Sequence, residues 1–130
     1  DELVEDSDED GTSYAPYMNG NFVFKNAVIR FMEVILEALA ANKLSKEDIS
    51  LLIPHQANLR ISQFVQKQLG LADEKVYNNI MYYGNTTAAS IPIALAEAIE
   101  KGKVNKGDVI CLAAFGSGFT WGSCILEWIE

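Results

Sequence analysis

Residues 22–41 are apolar on most of a helical circumference: Phe24, Val28, Phe31, Ile35 and Leu39 recur along one face, with Val23, Ala27 and Val34 beside them. The pattern predicts a largely buried helix. Ser45-Lys46-Glu47-Asp48 reads as a short helical turn with Ser45 as its N-cap. Residues 49–53 are almost continuously apolar and end at Pro54, as in a buried parallel strand. Helical spacing returns over residues 58–69 through Ile61, Phe64, Val65 and Leu69, and Gly70 supplies the stop. Residues 75–78 are a candidate short strand. A third helix is expected over residues 86–101, with Ile91, Leu95, Ala98 and Ile99 inward and Gly102 past its end. Pro92 belongs in or near its first turn, or else kinks it. Residues 108–115 and 120–129 read as strands on either side of Gly116-Ser117-Gly118.

The order is helix, strand, helix, strand, helix, strand, strand. It predicts an α/β fold: a layered sheet with helices on its faces, parallel crossovers and a terminal β-hairpin. The helix at 22–41 has no strand before it to cross over from, so the pattern reads as part of a larger fold. Residues 1–19 carry acids, then Gly, Ser, Pro and Tyr, with no sustained period, and are expected to be an acidic tail or long loop. The folded domain is expected over residues 20–130.

Composition narrows the class. A chain of 130 residues, 49% of them hydrophobic, is long enough for one domain with a real core and is not a disordered polymer. Its formal charge is -8, but seven of the 18 acids fall in residues 1–10, leaving a body with 11 acids against 10 bases. A near-neutral body argues against nucleic acid, which needs clustered Lys and Arg. Apolar runs are broken by charge or Gly before the roughly 18 residues that a membrane span requires. The acidic start is unlike a secretory signal, and the lack of an initiator Met makes it look cut or processed.

Cys111, Cys124 and His55 are too few, and wrongly spaced, for a structural zinc site, and no metal is expected. Both cysteines sit in apolar strand-like runs, which favours buried thiols and a reducing, cytoplasmic setting. His55 follows a strand and precedes a helix, where open α/β sheets gather ligand groups. Position alone does not separate a functional histidine from a satisfied one at a strand end. Asn85, in Tyr83-Gly84-Asn85-Thr86-Thr87, reads equally as a turn or cap residue. Gly116-Ser117-Gly118 could offer backbone N–H donors to a ligand or simply form a tight hairpin. It is neither a dinucleotide fingerprint nor a nucleophile elbow, because the required glycine spacings are absent.

Four strings in register carry more than any one of them. Met18-Asn19-Gly20-Asn21-Phe22-Val23-Phe24-Lys25, Pro54-His55-Gln56-Ala57-Asn58-Leu59-Arg60-Ile61, Gly84-Asn85-Thr86-Thr87-Ala88-Ala89-Ser90-Ile91-Pro92 and Phe115-Gly116-Ser117-Gly118-Phe119-Thr120-Trp121-Gly122 resemble the C-terminal half of β-ketoacyl-acyl-carrier-protein synthase III, over residues 18–129. The resemblance implies a thiolase-like fold of two similar halves, dimerisation, and a cysteine nucleophile in the other half. It further implies acyl-CoA and malonyl-acyl-carrier protein as substrates, no cofactor, and condensation with loss of carbon dioxide in fatty acid initiation. His55 and Asn85 take the catalytic positions, as two N–H donors to the thioester oxygen that gains charge. Ser117, where the family usually has Gly, would supply a second oxyanion N–H. Gln56, Ala57, Asn58, Leu59 and Arg60 match the carrier-protein contact, although Arg60 also reads as an ordinary solvated arginine. Asn58, Gly20, Asn21, Phe24 and Phe115 match positions along the substrate channel, and Phe24 reads equally as core. Neither Cys111 nor Cys124 matches the nucleophile, so the isolated chain is expected to be inactive. A non-catalytic thiolase-like half that binds carrier protein or a partner subunit is the alternative of another class. A relative that primes polyketide or signal-molecule synthesis would share His55 and Asn85.

Overall fold

The structure is a computed structural model that describes residues 20–130; the expected tail at residues 1–19 lies outside them. Helix α1 (Gly20–Ala41) is followed by a 3-10 turn (Lys46–Asp48) and strand β1 (Leu51–Pro54). Helix α2 (Leu59–Leu69), a 3-10 turn (Asp73–Lys75), the single-turn helix α3 (Ile80–Tyr83) and helix α4 (Ser90–Glu100) then lead to β2 (Val109–Gly116) and β3 (Thr120–Glu127). The sheet order is β1-β2-β3, with β1 parallel and β3 antiparallel to β2. A layered α/β sheet with a terminal hairpin is therefore observed.

Strand alternation divides the core between the two faces of the sheet. Leu52, Cys111, Ala113 and Phe115 pack with Phe31, Val34, Ile35 and Leu39 of α1 and Val65 and Leu69 of α2. Leu51, Ile53 and Ile110 pack on the opposite face against Ala94 and Ala98 of α4. All four residues of β1 are buried, which explains why its sequence runs apolar without alternation. Local chemistry sets the ends of α2. Asn58 accepts the Arg60 N–H at 2.9 Å, and Gly70 closes the helix at φ 67°, a conformation glycine adopts without strain.

Several expectations need correction. Helix α1 is not buried all round: Phe22, Ile29 and Leu36, seven residues apart, form an exposed stripe opposite its packed face. At one end of the stripe the Phe22 ring meets Phe119 of the hairpin, 5.7 Å between centroids. Phe64 and Ile99 also point outward, since α2 and α4 each bury a narrower face than the apolar spacing suggested. The candidate strand at residues 75–78 reduces to one parallel bridge, Leu52 to Val76, beyond the Asp73–Lys75 turn. Helix α3 was not legible at all. The third helix begins at Ser90, after a 3-10 turn (Thr87–Ala89) opened by Thr87 at φ 52°. Pro92 falls in the first turn of α4, where a missing N–H removes no intrahelical bond.

Ile35 sits between α1 and the sheet with no exposed surface. Ile35→Ala is expected to destabilise the fold by roughly 2–5 kcal/mol, from lost burial and a residual cavity. Urea unfolding monitored by circular dichroism checks this, and a shift below 1 kcal/mol would contradict the packing described.

Candidate functional site

The parallel ladder runs one residue past β1: the His55 N–H donates to the Ala113 carbonyl at 2.7 Å. His55 thereby stands at the carboxyl end of β1, close to the end of β2 and its hairpin. Ligands of open α/β sheets collect at this edge. Gln56 turns inward and is only 2% exposed. Its Oε1 accepts the N–H groups of Asn79 (2.9 Å) and Ile80 (3.0 Å), and its Nε2 donates to the Pro54 carbonyl at 2.7 Å. One side chain thus joins the end of β1 to the start of α3, five residues before Asn85.

The imidazole is anchored from behind, with His55 Nδ1 2.5 Å from the Ser90 hydroxyl oxygen. Burial holds its pKa below the ordinary histidine value of 6.5, favouring the neutral ring. Asn85 is anchored in a similar way, because its Oδ1 accepts the Thr87 N–H at 2.9 Å. That Asx turn leaves the amide NH2 as the outward group. Thr87 at φ 52° is strained backbone for a β-branched residue, located beside the site.

His55, Asn58, Asn85, Phe115 and Ser117 all line one cavity of about 260 Å³, whose walls come from α1, α2, β1 and the hairpin. No Asp, Glu, Lys or Arg is among its lining residues. A developing negative charge there would meet N–H donors in apolar surroundings, where such donors act strongly. Among the described residues only Lys43 and Thr87 are non-glycines at positive φ, so Ser117 keeps ordinary backbone. Gly118 takes the strained position of the hairpin, at φ 116°.

The remaining expected residues separate into groups. Ala57 lines the cavity mouth; Leu59 and Arg60 do not line the cavity. Arg60 is exposed, with its guanidinium 5.2 Å from the Phe24 ring centroid. Gln56 is corrected outright: a buried amide committed to backbone cannot serve as a surface contact. Asn21 and Phe24 do not line this cavity; Phe24 packs edge-on to Phe64 at 6.2 Å. Gly20 is the first residue of α1. Sequence reasoning missed the roles of Gln56 and Ser90, because a polar residue gives no periodic signal when it turns inward. It also missed Phe119, which lines the cavity and lies 5.2 Å from the Phe115 ring.

Burial pushes the Cys111 thiol up to about 12, while Cys124 is exposed on β3. Both are free and both lie in strands, so neither has the helix N-terminus that lowers a nucleophile's pKa. Among the described residues no cluster of His, Cys, Asp or Glu could hold a metal, and no helix is long and apolar enough to cross a membrane.

The fold and site define a three-layer α/β domain with an uncharged cavity at the carboxyl edge of its parallel strands. The family model described as 3-Oxoacyl-[acyl-carrier-protein (ACP)] synthase III C terminal matches residues 39–128, and the chain belongs to that family. Beta-ketoacyl-[acyl-carrier-protein] synthase III of Campylobacter jejuni is 53% identical over 110 residues, covering 85% of this chain and 34% of the relative. The enzyme of the same name from Clostridium tetani is 47% identical over 128 residues, covering 98% and 38%. The crystal structure of the Thermus thermophilus synthase III superposes with a TM-score of 0.85 at 45% identity, covering 97% of this chain and 40% of that one. The chain spans little more than a third of the length of these relatives.

Two outcomes test the geometry. Gln56→Ala leaves the Asn79 and Ile80 N–H groups unpaired and is expected to cost about 2 kcal/mol or more in urea unfolding. Iodoacetamide at mildly alkaline pH should add one label, on Cys124, with Cys111 reacting only after denaturation; intact mass and peptide mapping distinguish the two thiols.

Proposed function

We propose that this chain supplies the carbanion-generating part of the active site in a synthase III type condensing enzyme acting in fatty acid biosynthesis. A malonyl thioester on acyl-carrier protein loses carbon dioxide, and the electron pair of the broken C–C bond moves onto the thioester oxygen. His55, through the ring nitrogen not facing Ser90, and Asn85, through its amide N–H, donate to that oxygen. The carbanion then attacks an acyl thioester carried by a cysteine, and the cysteine sulfur leaves as thiolate. The observation that supports this reading most is that both residues line one uncharged cavity while each has one polar side-chain atom bonded within the protein, which leaves a side-chain nitrogen of each to serve the cavity.

The other assignments follow the same reading. The Ser117 N–H, on the hairpin beside Phe115, serves the acyl-cysteine carbonyl as a second oxyanion donor. The nucleophile and the acyl-CoA site belong to a cysteine-bearing half, since Cys111 is buried and Cys124 stands in an edge strand. That half, and a second subunit in a dimer, cover the exposed Ile29 and Leu36. Acidic carrier protein docks at Ala57, Asn58, Leu59 and Arg60, with Arg60 steadied by its stack on Phe24. Gly20, Asn21 and Phe24 stand by the outer approach to the site rather than in the cavity. The enzyme works without metal or organic cofactor, and in the cytoplasm.

His55→Ala and Asn85→Ala are each expected to lower malonyl decarboxylation by roughly 10²-fold or more in the complete enzyme. Transfer of the acyl group from acyl-CoA to cysteine should fall far less. Labelled carbon dioxide release and acyl-enzyme formation report the two steps separately. Unchanged decarboxylation in either variant contradicts the reading, as does an acyl adduct on Cys111 or Cys124.

A further inference from the structure

Ser90 is 2% exposed and has two side-chain partners, the Gln56 N–H at 3.3 Å and His55 Nδ1 at 2.5 Å. A backbone N–H can only donate, so the hydroxyl oxygen is the acceptor towards Gln56. The hydroxyl has one proton, and Nδ1 is the acceptor within reach. If Nδ1 were instead the donor, the oxygen would receive two N–H bonds and the Ser90 proton would have no acceptor in a buried site. Leaving a buried O–H unpaired is unfavourable. The arrangement that satisfies all three groups runs from Gln56 N–H to Ser90, and from Ser90 O–H to His55.

We propose that Ser90 is a positioning residue that donates its hydroxyl proton to His55 Nδ1 and so fixes the imidazole as the Nε2–H tautomer. The ring therefore presents a donor, not a lone pair, to the cavity. The same bond fixes the ring plane against α4. Ser90 is the first residue of that helix and lies five residues after Asn85. Together with Gln56, which holds the start of α3 through the Asn79 and Ile80 N–H groups, it brackets the segment that carries Asn85, so both N–H donors are referred to one pair of buried tethers. This assignment rests on the catalytic reading of His55 only for its kinetic consequence; the tautomer is a property of the folded chain.

The test uses the complete enzyme containing this chain, labelled with ¹⁵N-histidine and observed by long-range ¹H–¹⁵N correlation near neutral pH. The His55 signal is assigned by its loss in His55→Ala. The wild type should show a protonated Nε2 and an unprotonated Nδ1, and an Nδ1–H tautomer overturns the proposal without reference to any variant. Ser90→Ala should give a tautomer mixture and lower the turnover of malonyl decarboxylation about 10-fold, with KM and acyl loading little changed. Ser90→Thr retains the hydroxyl and should restore both the tautomer and most of the turnover. An unaltered tautomer in Ser90→Ala also overturns the proposal, as does failure of Ser90→Thr to recover it when folded. Should Ser90→Ala not fold, the wild-type tautomer and Ser90→Thr decide the matter. Retained decarboxylation in His55→Ala would remove the catalytic reading while leaving the tautomer result standing.

Discussion

The geometry of the site depends on a glutamine side chain that is almost wholly withdrawn from water. Gln56 lies two residues beyond the end of β1, and its buried amide must find partners inside the fold. It finds them in the Asn79 and Ile80 N–H groups and the Pro54 carbonyl, which join the first strand to the start of α3. Between the Asp73–Lys75 turn and α3, the other ties are the Leu52–Val76 bridge, the Tyr77 N–H bond to the Leu52 carbonyl, the Ser62 hydroxyl bond to Asn78 and the Tyr77 hydroxyl bond to Glu97.

Local satisfaction on one side creates available donors on the other. Asn85 could present either end of its amide, and the bond from the Thr87 N–H commits the oxygen. His55 could present either nitrogen, and Ser90 occupies one of them. The cavity adds no competing charge of its own. Strain at Thr87 accompanies this arrangement, as is common where a loop must hold a functional group in a set direction.

Helix α1 serves two surfaces. Its buried face, from Ala27 to Leu39, covers the sheet and supplies Ala27 and Phe31 to the cavity wall. Its other flank carries Ile29 and Leu36 in the open, near hairpin aromatics that continue the apolar surface: Phe22 stacks with Phe119, and Arg30 lies over Trp121. This apolar surface is carried by a chain about a third the length of its relatives.

Much of the layered α/β architecture was legible from local pattern. Helical spacing in α1, the Asn58 cap and Gly70 stop of α2, and the apolar strands around Gly116-Ser117-Gly118 each depend on contacts within a few residues. Such signals survive without knowledge of the fold. His55 and Asn85 became candidates only through strings in register, because a single histidine or asparagine carries no period. The inward turn of Gln56, the contact of Ser90 with an imidazole 35 positions away and the existence of α3 had no local signal. So too did the exposure of Ile29, Leu36, Phe64 and Ile99: apolar spacing says which residues share a face, but not which faces find a partner. The sequence by itself determined the long helices and the strands β1, β2 and β3 and their order, but not α3 or the reduction of residues 75–78 to a bridge. Tertiary structure decided which polar atoms are consumed within the fold and which are left to act, because hydrogen-bond partners distant in the chain are chosen by the topology that brings them together.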